Sequence, residues 1–280
     1  MKLKRILSLL LAAVLLCSVG AAFAGCSSSD AGSGDDTNAS DSANNNSDLA
    51  YIQDKGTLVV AVTKFEPMNY QNEDGTWTGF DTEFAQAVAE KLGVKAEFVV
   101  IDWDNNLSEL QSKSVDCLWN GMTITDRIKK GADVTNAYVK NAQVVVMNND
   151  VVNNYNSLDE MSDLSFAAEA GSAGAGVLDD AGIAYTALAA QSDCLMEVQS
   201  GASDACVIDL TMANNMTGEG TSYADLGYKV ELNEEEYGIA FRKGSDMVEK
   251  VNEIMAEMMQ DGTLDDLAEK YSLTLIKDAA

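Results

Sequence analysis

Asn120, Gly121 and Thr123 open the run NGMTITDRIKK, which follows directly on the apolar VDCLW of residues 115–119. Small polar residues where a buried strand gives way to loop can hold a ligand: carbonyl and hydroxyl oxygens accept from an ammonium, and backbone N–H groups donate to a carboxylate. Asp209 stands in the same place behind a second apolar run, ACVI of 205–208. A carboxylate there makes a charge-assisted bond to an ammonium, or caps the helix that follows, or does both with different oxygens. The glycine-rich GSAGAG of 171–176 opens a predicted helix, whose first N–H groups and dipole favour an anion, here a carboxylate on the amides of Ser172 and Ala173. A phosphate loop is the rival reading, but the run has no P-loop lysine and reverses the usual dinucleotide spacing. Thr125 has the simpler reading of a helix N-cap.

These residues must be positioned by alternating strands and helices, a pattern that predicts α/β layers with a largely parallel sheet. TLVVAVT from Thr57 is a continuous apolar strand, and KAEFVVI from Lys95, VDCLW from Val115 and AQVVVM from Ala142 are three more. Between the first two, FDTEFAQAVAEKLG puts Phe80, Phe84, Val88 and Leu92 on one helix face, with Asp81 as expected N-cap and Gly93 as stop. Leu107 and Leu110 belong to a short helix. After the polar NNDVVNNYNSLDE a second, smaller series begins: a strand from Leu164, a helix over 175–180, a strand near Ile183, a helix over 193–199 and the strand of DACVIDL. YKVEL and YGIAFRKG read as extended, and 246–271 as two helices broken at DGT, expected to return to the first unit.

Composition narrows the chemistry. The chain has no His, so the common metal-ligand patterns and the Ser-His and Cys-His pairs are missing, and no catalytic set, metal or cofactor is expected. Setting aside Lys2, Lys4 and Arg5 of the first stretch takes the formal charge from −27 to −30, which excludes nucleic acid as a partner. Cys117, Cys194 and Cys206 are expected as buried thiols, with a Cys194 to Cys206 bridge the alternative.

Residues 1–25 read as a secretory signal, with basic residues before the apolar stretch from Ile6 to Val19. AFAGC resembles a bacterial lipobox, which makes Cys26 the lipid-bearing mature N-terminus; an ordinary cleavage site would leave Cys26 a free thiol. Residues 26–48, mostly Ser, Asp, Asn, Gly, Ala and Thr, are expected to form a disordered tether. The expected product is a monomer held outside the cytoplasm, on the cell membrane, by its lipid.

GFDTEFAQAVAEKL of 79–92 resembles the signature of the bacterial extracellular solute-binding proteins of the polar amino acid family. FEPM from Phe65, WNGMTIT from Trp119, EAGSAGAG from Glu169, DACVID from Asp204, YGIAFRKGS from Tyr237 and the closing DGTLDDLAEKY are similar to family motifs in the same order, over nearly the whole body. The resemblance implies a two-lobed type II periplasmic binding protein fold, the Venus flytrap, with two crossover strands and a cleft that closes on an amino acid. The lobes would comprise 49–145 with 240–280, and 146–239, turning about strands near Val144 to Asn148 and Tyr237 to Phe241. The implied partners are the permease and ATPase subunits of an ABC importer.

The same resemblance places Phe65 and Trp103 as aromatic walls and Asp209 on the ligand ammonium, while Trp119 faces either core or pocket floor. Arg127 departs from it. The family pattern is similar to T-x-x-R, and here that fourth position is Ile128, so the guanidinium comes one residue early, about 100° around a helix. Either a shifted turn lets Arg127 clamp the ligand carboxylate, or amides and Thr123 carry the anion alone, or the ligand is not an ordinary α-amino acid; the plainer alternative is a solvated surface arginine. Binders of basic amino acids resemble one another in having an acid where this chain has Val62, so a neutral or polar amino acid is expected, with cystine the working example. Two rivals on this fold are an enzyme resembling cyclohexadienyl dehydratase and a solute-sensing receptor module.

Overall fold

The computed structural model describes residues 47–277, so the signal, the Cys26 anchor and the tether up to residue 46 lie outside the described residues. The elements in order are α1 (Asp48–Lys55), β1 (Thr57–Val62), β2 (Tyr70–Gln71), β3 (Trp77–Thr78), α2 (Phe80–Leu92), β4 (Lys95–Val100), α3 (Asn106–Gln111), β5 (Cys117–Leu118), α4 (Asp126–Gly131), β6 (Ala132–Val134) and β7 (Val139–Asn148). Then follow β8 (Phe166–Glu169), α5 (Ala173–Ala181), β9 (Tyr185–Leu188), α6 (Gln191–Ser200), β10 (Ala205–Asp209), α7 (Leu210–Met216), β11 (Leu226–Tyr237), β12 (Ala240–Arg242), α8 (Met247–Gln260) and α9 (Thr263–Lys270).

Two five-stranded sheets result, in the orders β4-β1-β5-β12-β6 and β11-β7-β10-β8-β9. In the first, β1 runs parallel to β4 and β5, so β1-α2-β4 is a crossover unit whose helix covers one face. The apolar stripe of α2 (Phe80, Phe84, Val88, Leu92) is buried there, and Gly93 ends the helix in the left-handed conformation as expected. Phe84 meets Trp119 edge-on at 4.8 Å and Phe80 stacks on Tyr138 at 6.1 Å, which places Trp119 in the core. Helices α8 and α9 do return to this unit: Lys270 pairs with Glu83 of α2 at 2.7 Å, and Leu264 and Met258 are fully buried.

Asp81 is not the N-cap of α2. Gly79 holds that position, and the Asp81 carboxyl is buried, accepting from Gly121 N–H at 2.6 Å and from Tyr138 Oη at 2.8 Å. Burial pushes it up to about 7. Ser47 and Asp48, drawn with the tether, belong to the body. Ser47 caps α1, and Asp48 pairs at 2.9 Å with Arg242, almost at the other end of the chain, a partner that local composition does not reveal.

The crossing between sheets also differs from the expected one. β7 and β11 form one long antiparallel pair, from Val139 beside Tyr237 to Asn148 beside Leu226, and Gln143 to Met147 pair on the other edge with β10. Residues 139–145, and the expected turning point at Val144 to Asn148, therefore sit inside the second sheet. The links between sheets are 135–138 and 238–239. A doubly paired strand and a linking strand are both continuous apolar runs, so the sequence pattern does not separate them. Cys117, Cys194 and Cys206 are free and buried.

Candidate ligand-binding cleft

The carboxyl ends of β5, β8 and β10 open on one cleft between the two sheets, the place where α/β folds bind ligands. Asp209 lies on its second-sheet wall, 3% exposed. Its carboxylate makes no cap bond to α7. Oδ1 accepts from Gln143 Nε2 at 2.9 Å and from Asn141 Nδ2, Oδ2 accepts from Gln191 Nε2, and the backbone N–H donates to Gln191 Oε1 at 2.8 Å. Asn141 caps the helix instead, its Oδ1 accepting from Thr211 N–H at 3.2 Å. Burial, and after it the charge of Glu235, pushes the Asp209 carboxyl well above the ordinary carboxylate range.

Glu235 escaped the sequence reading. It lies on β11 in a run of three glutamates that reads as a solvated edge, yet its Oε1 accepts from Thr123 Oγ1, Asn141 Nδ2 and Gln143 Nε2, each at 2.7 Å. Thr123 reaches it because segment 122–124 pairs with the end of β11: Ile124 N–H donates to Glu236 O and Gly238 N–H to Met122 O, both at 3.0 Å. Asp209 and Glu235 thus share two amide donors.

Glu169 was missed as well, although its position at the end of an apolar strand is the signal that found Asp209. It lies at the end of β8 and lines the cleft, 3% exposed, and Oε1 is buried without a hydrogen bond. Burial pushes the carboxyl up to about 8, with Thr63 and Gln191 beside it opposing the rise and the charges of Asp193 and Asp102 adding to it.

The amides expected to meet a carboxylate lie in the turn after β8. Ser172 is the N-cap of α5: its Oγ accepts from Ala175 N–H at 3.1 Å while its own N–H donates to Glu169 O at 3.2 Å. Of the two amides expected to meet a carboxylate, only that of Ala173 has no partner among the described residues. Arg127 is exposed, yet its guanidinium is held at both ends. From α4 its Nη1 donates to Asn106 Oδ1 and its Nη2 to Gly171 O, both at 3.1 Å, so it crosses the cleft to the very turn that carries Ser172 and Ala173. Desolvation lowers its pKa, with Asp104 opposing. Gly171 lies against Asp104 at a φ of 70°, where an added Cβ would come within 2.6 Å of the Asp104 Cα, so the halves touch here.

The remaining predicted residues divide. Trp103 lines the cleft. Thr125 is an N-cap, accepting from Ile128 N–H at 3.2 Å. The Asn120 side chain is fully used inside the protein: Oδ1 accepts from Thr63 N–H and Oγ1 at 3.0 and 2.8 Å, and Nδ2 donates to Thr63 O at 3.1 Å. It fastens the end of β5 to the end of β1. Gly121, at φ 51°, spends its N–H on Asp81 and lies so close to Phe65 that a Cβ would come within 2.6 Å of the ring. Phe65 is 2% exposed and stands behind Gly121, edge-on to Tyr237 at 6.4 Å, rather than on the cleft wall.

Two α/β halves joined by two short links, with a polar cleft at their strand ends, define a type II periplasmic binding protein. The chain belongs to the bacterial extracellular solute-binding proteins, family 3, whose model matches residues 58–274. It is similar to the L-cystine-binding protein TcyA of Bacillus subtilis (30% identical, covering 94% of this chain and 96% of the relative). It is also similar to the L-cystine-binding protein TcyJ of Escherichia coli strain K12 (28% identical, covering 80% and 85%). Among solved structures it resembles AncCDT-1, an ancestral amino acid-binding protein described as a precursor of cyclohexadienyl dehydratase, with a TM-score of 0.73 and 30% identity over 80% of this chain and 99% of that one.

Proposed function

We propose that the protein is the binding component of an amino acid importer, lipid-anchored through Cys26 outside the cytoplasm, working as a monomer and delivering its cargo to the permease and ATPase of an ABC transporter. The observation that carries this reading is the placing of opposite functions in one cleft. Asp209 offers a buried carboxylate to an α-ammonium, while Arg127 and the Ala173 amide gather donors for the α-carboxylate. Thr123 and Trp103 complete the walls, and Ser172 shapes the anion turn by capping α5.

In this reading the halves turn about 135–138 and 238–239, where the paths from sheet to sheet run side by side, Thr135 N–H donating to Ile239 O and Tyr138 N–H to Tyr237 O, both at 3.0 Å. Ligand contacts to both halves favour the closed form, whose combined surface is what the importer distinguishes. A thermal-shift screen of the common amino acids and cystine tests the proposal, since a ligand that binds only the folded form raises the unfolding temperature in proportion to occupancy. A screen in which no amino acid raises it refutes the proposal.

A second reading, elimination of water from a cyclic acid, has one observation in its favour: Glu169 is a carboxyl able to carry a proton near neutral pH inside the cleft. Incubation with prephenate or arogenate and a spectrum for aromatic product separates the two.

A further inference from the structure

Of the carboxyls that line the cleft, those of Glu169 and Asp209 are buried and that of Glu235 is half-buried, while the arginine on its wall, Arg127, already donates to Asn106 and Gly171. Asp209 and Glu235 have polar partners on three sides. Glu169 is different. Its Oε1 is buried without a hydrogen bond of ordinary length, the two donors beside its carboxyl, Thr63 Oγ1 and Gln191 Nε2, already donate to Asn120 and Asp209, the charged groups acting on it, Asp193 and Asp102, are both negative, and Asp209 lies close enough to feel its charge. A buried carboxyl oxygen left without a donor destabilises the fold, and such a cost persists where a ligand removes it.

We propose that Glu169 is a second anchor in the cleft, receiving a cationic nitrogen on the side chain of the bound amino acid, so that the cargo carries two positive nitrogens rather than one. This rests on the amino acid-binding reading and sharpens it. Glu169 ends β8 in the second half, with Thr63, at the end of β1 in the first half, beside its carboxyl. A nitrogen seated there touches both halves, as a closing ligand must. The first-half acid sought at Val62 is absent, and Val62 is fully buried; Glu169 supplies an acid from the opposite wall. Two kinds of cargo have the required chemistry: a basic amino acid with one side-chain cation, and a doubled zwitterion such as cystine with a second ammonium.

The test is calorimetric titration of the whole secreted body and of its Glu169→Gln variant with arginine, lysine, ornithine and cystine, beside the uncharged counterparts citrulline, norleucine and methionine. The wild type should bind at least one of the dicationic ligands about tenfold or more tightly than its uncharged counterpart, arginine and lysine marking the basic class and cystine the doubled one. In Glu169→Gln that ratio should fall to within about threefold, and a cooperative urea unfolding transition shows that the variant is folded. Equal affinity of wild type for charged and uncharged members of each pair overturns the proposal, and so does a preference that survives the substitution. Binding of no amino acid by either form removes the underlying reading instead.

Discussion

The Thr123 hydroxyl donates to Glu235 Oε1 at 2.7 Å, joining the loop after β5 in one half to the crossing strand β11 that belongs to the other. That same oxygen accepts from Asn141 and Gln143, which also serve Asp209, so a first-half hydroxyl and the Asp209 carboxylate are linked through three hydrogen bonds. Removing the charge of Glu235 should therefore be felt at Asp209. In Glu235→Gln the Asp209 carboxyl should titrate closer to the ordinary carboxylate range, read by carbon NMR of labelled aspartate. An unchanged titration would mean that burial alone sets it.

Asp209→Asn should weaken binding of any α-ammonium ligand by about tenfold or more, the order of a charge-assisted hydrogen bond. It should not destabilise the empty protein, because an amide removes a carboxyl that burial already disfavours. Calorimetry with the best ligand of the thermal screen, together with urea unfolding, checks both halves of this statement.

Stability of the empty protein should fall as pH rises between about 5 and 8. Glu169 and Asp81 are pushed up to about 8 and about 7 in the folded state, whereas the unfolded chain ionises them near the ordinary carboxylate values. Below the unfolded values both states hold the protons and nothing is lost. As pH climbs toward the folded values only the unfolded chain gives protons up, which favours unfolding by up to about 1.4 kcal/mol per pH unit for each group. Urea unfolding at pH 5 and pH 8 should show the drop, and Glu169→Gln should make it shallower. A profile as steep in the variant as in the wild type would remove Glu169 from the explanation.

Arg127→Lys should weaken ligand binding by about tenfold. The planar fork that serves Asn106 Oδ1 and Gly171 O at once is lost, although the charge remains. The empty variant should also be more open, which small-angle X-ray scattering reads as a larger radius of gyration. Unchanged scattering together with unchanged affinity would leave Arg127 a surface residue.

How much of this could be read from the amino acids depends on how far each partner lies along the chain. The α2 stripe, its stop at Gly93, the Thr125 cap and Asp209 at the end of an apolar run were legible because periodicity and capping act within a few residues. Asp81 misled for the same reason: an acid at a helix start reads as a cap, while its partners Gly121 and Tyr138 are 40 and 57 residues away. Glu235 was hidden in a string of acids whose common reading is a solvated edge, and only the pairing of 122–124 with the end of β11 turns it toward the cleft. Arg127, one position early by pattern, still arrives at the anion turn, since its target is a carbonyl on the opposite half rather than a fixed point on its own.

Asn141 deserves a last consequence. One side chain on β7 donates to Asp209 and Glu235 through Nδ2 and holds the first turn of α7 through Oδ1. When cargo draws on the lone pairs of Asp209, the amide must loosen or reorient, and the helix start it fastens must answer. A cargo that drew on Asp209 would thereby disturb the start of α7 from inside the second sheet, a change an external reader could sense besides the gap itself.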